Sequence, residues 1–455
     1  MKKLNKFFNK LSTCGIDFTL LQDALIEVGE YKKRKSPAIL FPKTTQQVRQ
    51  LINYAVEYTI PLYPYSKGNN WGFGSFVPVK NNTVLVDLGK LNNIRTCDHK
   101  KQIIVIEPGV TQQQLSDYLK DTKFMANLTS SSPYSSVLGN TLDNGIGYLG
   151  RKINDMVGVE MISGTGNLCQ YGYLSTKLKS KDLTRYIPQT NFGIVTAIAI
   201  KLTRQPKHIK MITLTFETPS FNKISSLLKS YYQDGIIRWV SKISPIDHSL
   251  FYLLIPIITT STERQKIHLM INQLKKLGKV QIYNEPKIRS LPTSNEFVGH
   301  WSLYHGQPNG YPTASYLPFK QKIVNLDQYS NTGIRLLAHI TPLDTPVIKN
   351  IERIISGVSK ESTCTVDYRL NILNKKSIAL VMYIHFLRNK QGIKSAKVVS
   401  SNLFFSLMEY GYKPYRLNID IQKNSYKQNL SSNFKKKIKK QLDPFNIISP
   451  GRYGF

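Results

Sequence analysis

The chain has 455 residues, 41% of them hydrophobic and 11% aromatic, which is enough to bury two or three cores and excludes a disordered polymer. Its 62 Lys and Arg against 28 Asp and Glu leave a formal net charge of +34. The basic residues are dispersed, and no nucleic-acid-binding motif accompanies them, which argues against nucleic acid as the partner.

In chain order, residues 1–35 read as helical and basic. Pro37 to Pro42 reads as a short strand. Thr44 or Thr45 then caps a helix whose apolar residues recur at 48, 51, 52, 55 and 56. Ile60 to Pro64 is a second strand. It leads into Ser66-Lys67-Gly68-Asn69-Asn70-Trp71-Gly72-Phe73-Gly74-Ser75. Glycine tolerates positive φ, so this stretch can bend tightly and bring backbone N–H groups to an anion; Ser66, Asn69, Asn70 and Ser75 add donors and Lys67 a charge. A diphosphate fits those properties, and so does a plain surface turn. The loop opens no helix, which argues against a Rossmann site.

Strands follow at Val84 to Leu88 and Gln102 to Val110, and Thr111 caps a helix with Leu115, Tyr118 and Leu119 as its apolar stripe. A second glycine-rich region runs from Leu138 to Tyr148. It contains Gly139, Asn140, Thr141, Asp143, Asn144, Gly145 and Gly147. Asp155, a strand at 158–162, the turn Gly164-Thr165-Gly166 and the segment Thr190 to Thr196 come next. Past about residue 205 the glycine loops stop. Helical spacing appears at 223–234 and 262–277, and strands at 278–283, 333–340, 364–368 and 379–384. The basic run Lys435 to Lys440 reads as the solvated face of a C-terminal helix.

Cys14, Cys97, Cys169 and Cys364 lie far apart, form no metal-ligand pattern and suit reduced thiols in the cytoplasm; no metal site is expected. The basic N-terminus has no apolar signal core, and the most apolar later stretch, Ser249 to Thr259, is too short to span a bilayer. No integral membrane segment is expected.

Five stretches, in order, resemble the flavoprotein family of vanillyl-alcohol oxidase and p-cresol methylhydroxylase. They are Ser66-x-Gly68-x-Asn70-x-Gly72-x-Gly74-Ser75-x-x-Pro78; Glu107-Pro108-Gly109-Val110; Gly139 to Tyr148; Asn191-Phe192-Gly193-Ile194-Val195-Thr196; and Leu442-Asp443-Pro444-x-Asn446-Ile447-Ile448-x-Pro450-Gly451-Arg452. The resemblance covers nearly the whole chain. It implies an α+β protein: a p-cresol-methylhydroxylase-type FAD-binding domain of two α/β subdomains at 1–205, a cap domain at 206–410 with a large antiparallel sheet flanked by helices, and a return to the FAD domain at 411–455. It also implies FAD bound by Ser66 to Ser75, Pro78, the second glycine region, Asp155, Gly193, Ile194, Val195 and Arg452.

The resemblance further implies that Tyr415-Arg416 binds a substrate phenolate, since a guanidinium favours the anion of a phenol whose pKa is about 10. Asp367 falls where p-cresol methylhydroxylase has an active-site Glu, a place for a base; a salt bridge with a lysine is the other reading. One departure stands out. The family's phenol-binding oxidases usually carry Gly-Tyr-Gly in the first loop, and this chain has Gly72-Phe73-Gly74, so one hydroxyl is missing. Non-covalent FAD is expected, because Asn69 and Asn70 stand where relatives have a linking His; a linkage through Tyr329 is the alternative.

These residues imply an FAD-dependent oxidoreductase that removes hydride from a 4-substituted phenol or related aromatic compound. Phe73 motivates a second enzyme reading, an oxidase of a hydroxy acid, polyol or specialised metabolite. The +34 charge motivates a third, a non-enzymatic basic nucleic-acid-binding protein, and also suits an acidic redox partner. A homo-oligomer stays open.

Overall fold

The computed structural model describes residues 2–74, 76–176, 182–247, 249–259, 261–292, 296–308, 331–343, 346–359, 362–421 and 430–454. Three sheets position the site. The first has the order Asp17–Leu20, Ala38–Phe41, Val84–Asp87, Leu62–Tyr65. Its last three strands are parallel, and the first is antiparallel to its neighbour. The helix Thr45–Tyr58 connects two of the parallel strands. Thr44 Oγ1 caps it by accepting from the Gln47 N–H, and Val48, Leu51, Ile52 and Ala55 are buried.

Residues 1–35 are not helical throughout. The helix is Lys2–Thr13, and Gly15, at φ +64, marks the turn that follows it. Asp17–Leu20 then pairs with Ala38–Phe41, and Ala24–Leu25 pairs with Arg34–Lys35. Period-two pairing onto an existing sheet edge outweighs the helix propensity of this basic segment.

The second sheet has the order Leu168–Gly172, Met156–Ser163, Gly193–Lys201, Ile103–Ile106, Ile94–Asp98. Thr111 caps the helix Gln112–Leu119 by accepting from the Gln114 N–H. Its buried stripe is Gln112, Leu115 and Leu119; Tyr118 lies off that stripe and is exposed, contrary to expectation. The second glycine region begins as a short helix, Val137–Leu142, rather than a loop.

The third sheet is antiparallel, with the order Lys279–Tyr283, Ile209–Glu217, Leu250–Ile258, Ser241–Pro245, Thr365–Ile372, Ser377–Leu387, Thr332–Pro342, Lys413–Arg416. The helices Phe221–Gln233, Arg264–Lys275, Val347–Ser359 and Lys390–Glu409 contribute to one apolar core with it. Its last strand lies beyond residue 410, where the cap was expected to end. Successive residues of a strand face opposite sides, so Lys242 and Ser244, Arg369 and Asn371, and Val381 and Tyr383 all turn to the sheet's other face. That face looks into a cavity shared with the first two sheets.

The C-terminal helix Leu430–Leu442 returns the chain to the first sheet, where Ile448 bridges to Leu62. Asp443 accepts from the N–H groups of Ile447 and Ile448. The basic run is not wholly solvated. Lys439 is buried and donates to Asp443, Asn191 O and Ile448 O, which locks the tail in place.

Candidate active site

The cavity between the sheets has a volume of about 570 Å³, within the range of ligand clefts. The parallel strand Leu62–Tyr65 delivers the chain to Ser66 at its edge. Ser66, Lys67, Gly68, Asn69, Asn70, Trp71 and Phe73 line the wall. Gly68 sits at φ +68, and the backbone N–H groups of Gly68, Asn69 and Asn70 donate to nothing else among the described residues.

Gly72 and Gly74 lie behind the wall. The Gly72 N–H donates to Glu27 Oε1 at 2.9 Å, and its carbonyl accepts from the Tyr31 hydroxyl at 2.6 Å and the Leu336 N–H at 3.0 Å. A Cβ on Gly72 would lie 2.8 Å from Leu336 Cγ, and one on Gly74 would fall inside Ile419. These two glycines seat the loop against the cap. Pro78 is buried behind it, outside the wall. Ser75 and Tyr329 lie outside the described residues.

Gly139 joins the two glycine regions, since a Cβ there would stand 2.9 Å from Ser66 Oγ. Gly139, Asn140, Asp143 and Gly147 line the wall, as do Gly193 and Val195. Thr141, Asn144 and Gly145 support it from behind. Thr141 Oγ1 donates to Val137 O, Asn144 Nδ2 donates to Tyr415 O, and Gly145 leaves room for the Asn140 side chain. Ile194 packs in the core of the first sheet. Asp155 was expected at the cofactor but does not reach the cavity; its carboxylate accepts from Asn127 Nδ2 at 2.9 Å.

The wall fits a dinucleotide diphosphate. Ser135 Oγ, Asn140 Oδ1, Asn191 Oδ1 and Arg452 Nη1 are buried, belong to wall residues and have no hydrogen-bond partner among the described residues. Buried polar atoms are seldom left so. Of these, Ser135 Oγ and Arg452 Nη1, with the N–H groups of 68–70 and the charge of Lys67, supply what phosphates need, while the two amide oxygens can only accept, as from a ribose hydroxyl or a ring N–H.

Asp143 is the electrostatic hub. It accepts from Arg416 Nε at 3.0 Å and Nη2 at 2.6 Å, from Asn70 Nδ2 at 3.0 Å and from the Tyr453 hydroxyl at 3.1 Å. Arg416 also donates to Asn70 Oδ1 at 2.6 Å and lies over the Phe73 ring at 4.4 Å. Arg416 thus reaches the wall with a counter-charge already attached. Tyr415 is buried beside it against Phe73, Ala338 and Ala379, and its hydroxyl makes no hydrogen bond among the described residues. Burial pushes that hydroxyl up to about 12, so it remains a donor.

Asp367 is not brought to the cavity. Arg369 Nη1 holds its carboxylate at 2.6 Å, and the Tyr368 N–H donates to it. Arg369 lines the wall in its place. Lys242, Asn371, Tyr148, His300 and Tyr383, which sequence reading passed over, complete this side. Lys242 Nζ donates to Asn371 Oδ1 at 3.1 Å and lies 4.2 Å from the centre of the Tyr148 ring. The Tyr148 hydroxyl and His300 Nδ1 share a hydrogen bond of 2.5 Å. Burial lowers Lys242 to about 7 and His300 to about 3.

Residues 36–172 match the family model described as an FAD binding domain. The 4-cresol dehydrogenase [hydroxylating] flavoprotein subunit of Pseudomonas putida is 24% identical, over 90% of this chain and 86% of that protein. This chain is a flavoprotein with an FAD-binding domain, and it is similar to the flavoproteins of the p-cresol methylhydroxylase type. The 1'-carboxy-chondrochloren decarboxylase of Chondromyces crocatus is 33% identical over 186 residues, but that match spans only 38% of this chain and 34% of the decarboxylase. In three dimensions the flavoprotein superposes on the 4-ethylphenol oxidase from Gulosibacter chungangensis with a TM-score of 0.86 at 18% identity, covering 100% of this chain and 97% of that one. The flavoprotein is an FAD-dependent oxidoreductase. Among its described residues no group of His, Cys, Asp or Glu is placed to hold a metal, and no helix is long and apolar enough to cross a membrane.

Proposed function

We propose that the flavoprotein oxidises a 4-substituted phenol or related aromatic compound at the benzylic carbon of its para substituent. The observation that supports this most directly is Tyr415, a buried side chain that lines the cavity and whose hydroxyl has no partner among the described residues, beside a guanidinium and among Phe73, Ile146 and Leu336. A flat aromatic ring suits those apolar side chains, and its oxygen suits Tyr415 and Arg416. Two similar proteins bear names with the same chemistry, 4-cresol dehydrogenase and 4-ethylphenol oxidase.

The protein's part is positioning and charge. FAD, when bound, supplies the acceptor for a hydride. Ser66 to Asn70, Gly139, Asn140 and Arg452 would hold it through its diphosphate. Tyr415 donates to the substrate oxygen, and Arg416, fixed by Asp143, favours the phenolate. A phenolate releases hydride from the benzylic carbon of its para substituent more readily than a phenol does, because the product is a neutral quinone methide. Phe73 adds no second hydroxyl and offers a ring surface instead.

The test is anaerobic titration of the purified yellow protein with 4-ethylphenol and other 4-alkylphenols, which is expected to bleach the flavin. If no phenol bleaches it, the reading is rejected.

A further inference from the structure

Lys242 has no counter-charge among the described residues. Its ammonium lies inside the protein, lines the cavity and has one hydrogen bond, to the neutral Asn371. It forms no ion pair among the described residues, and the only charge that bears on its protonation is the repelling Arg369. The other ionisable groups on this wall are engaged differently. Arg369 is paired with Asp367 and also senses Glu296, at the start of the helix Glu296–Tyr304; His300 is neutral and bonded to Tyr148. An ammonium drawn out of bulk water without an anion costs free energy, so a half-buried lysine that opens on a cavity points to a ligand that supplies one.

We propose that Lys242 receives a carboxylate at the end of the substrate's para side chain. This rests on the phenol reading of the same cavity and narrows it to 4-hydroxyphenyl compounds that carry an acid. The register sets the scale. Three strands separate Ser241–Pro245 from Lys413–Arg416, about 19 Å at roughly 4.8 Å per strand. Lys242 and Tyr415 both reach into the cavity from that span. The substrate therefore carries its acid on a side chain of several carbons. Asn371 holds the ammonium in place, and the Tyr148 ring gives it a cation–π surface.

The test uses the FAD-loaded full chain. Its probes are 3-(4-hydroxyphenyl)propanoate, 5-(4-hydroxyphenyl)pentanoate and 5-phenylpentanoate, each with its methyl ester. Kd is read from perturbation of the flavin spectrum, and bleaching is followed separately. At pH 6.5 at least one acid is expected to bind roughly 10- to 100-fold tighter than its ester, the range of a charge-assisted hydrogen bond. That preference is expected to vanish in Lys242→Met and survive in Lys242→Arg. No preference in the natural protein, or one that persists in Lys242→Met, overturns the proposal. So does a Lys242→Met protein that folds but loses FAD, since Lys242 then serves the cofactor. If Lys242→Met does not fold, the natural protein decides between pH 6 and 9: the preference must fall as pH rises past about 7, and a flat profile overturns the proposal. Should 5-phenylpentanoate show the Lys242-dependent preference while no phenol bleaches the flavin, the carboxylate site stands and the phenol reading falls.

Discussion

Arg416 grips Asp143 through two guanidinium nitrogens, Nη2 at 2.6 Å and Nε at 3.0 Å, and so ties the end of the large sheet to the second glycine region. Both side chains are close to nine-tenths buried. Asp143 also has Arg452 Nη2 at 3.9 Å. Asp143→Asn keeps the shape and removes the charge, which leaves two buried guanidiniums facing a neutral amide. Breaking a buried pair by removing one partner costs about 3 kcal/mol or more. The urea midpoint of the FAD-free protein is expected to fall accordingly. An unchanged midpoint would show that water, not Asp143, balances these arginines.

The two kinds of glycine in the first loop should separate on substitution. Gly74 sits at φ +109, and a Cβ there would fall inside Ile419. Gly68 sits at φ +68, where a Cβ would meet Phe76 at 3.3 Å, and it lines the cavity. Gly68→Ala adds the left-handed strain, about 1–2 kcal/mol, and a tight approach to the Phe76 ring, and is expected chiefly to weaken FAD retention. Gly74→Ala adds a clash to its strain and is expected to lower the unfolding temperature more than Gly68→Ala does. The reverse order in thermal melts of the two FAD-free variants would refute the assignment of Gly74 to the cap contact.

Tyr415→Phe tests the phenol donor. The ring still packs against Phe73 and Ala338, and among the described residues the hydroxyl has no partner to strand, so stability should change little. For a phenol that bleaches the flavin, kcat/KM is expected to fall roughly 10- to 100-fold, the worth of a hydrogen bond to a charged oxygen. With its own ionisation pushed up to about 12, Tyr415 should add no break to the pH–rate profile of the natural enzyme below about pH 11. A change in kcat/KM of less than twofold would remove Tyr415 from the reaction.

The cofactor side of the site was legible because its chemistry is local. The stretch from Ser66 to Phe73 is contiguous, so its glycines, amides and Lys67 can be read together; alone they fit a surface turn as well as a diphosphate, and the four further motifs of the family likeness favour the diphosphate. The cap side was not, because its wall is assembled from strands far apart in sequence. Lys242, His300 and Arg369 become neighbours only through sheet register and helix packing. A signal did exist. Thr365, Asp367, Arg369 and Asn371 alternate with Val366, Tyr368, Leu370 and Ile372, which is the pattern of a strand with one face off the core. Sequence reading picked Asp367 from that face by family likeness, and the structure places Arg369 and Asn371, nearer the middle of the sheet, at the cavity. The segment 14–35 was misread for a similar reason: its short strands depend on partners at Ala38–Phe41 and within the segment itself.

His339 gives the protein a built-in sensitivity to acid. It is buried in the strand Thr332–Pro342 against Phe404, both ring nitrogens lack a partner among the described residues, and burial lowers its pKa to about 3. His300 is lowered to about 3 as well. In the unfolded chain both would titrate near about 6.5. Below that pH the unfolded state binds protons that the folded state refuses, so stability falls as pH drops from about 6.5 toward 3, by up to about 1.4 kcal/mol per pH unit for each histidine. Above about 7 neither contributes to the slope. His339→Leu removes one of these protons and two unsatisfied nitrogens. Its urea midpoint at pH 7 is expected to equal or exceed that of the natural protein, and its decline between pH 6 and 4.5 to be shallower by one proton's worth. Parallel declines for the two proteins would mean that His339 takes up its proton inside the fold.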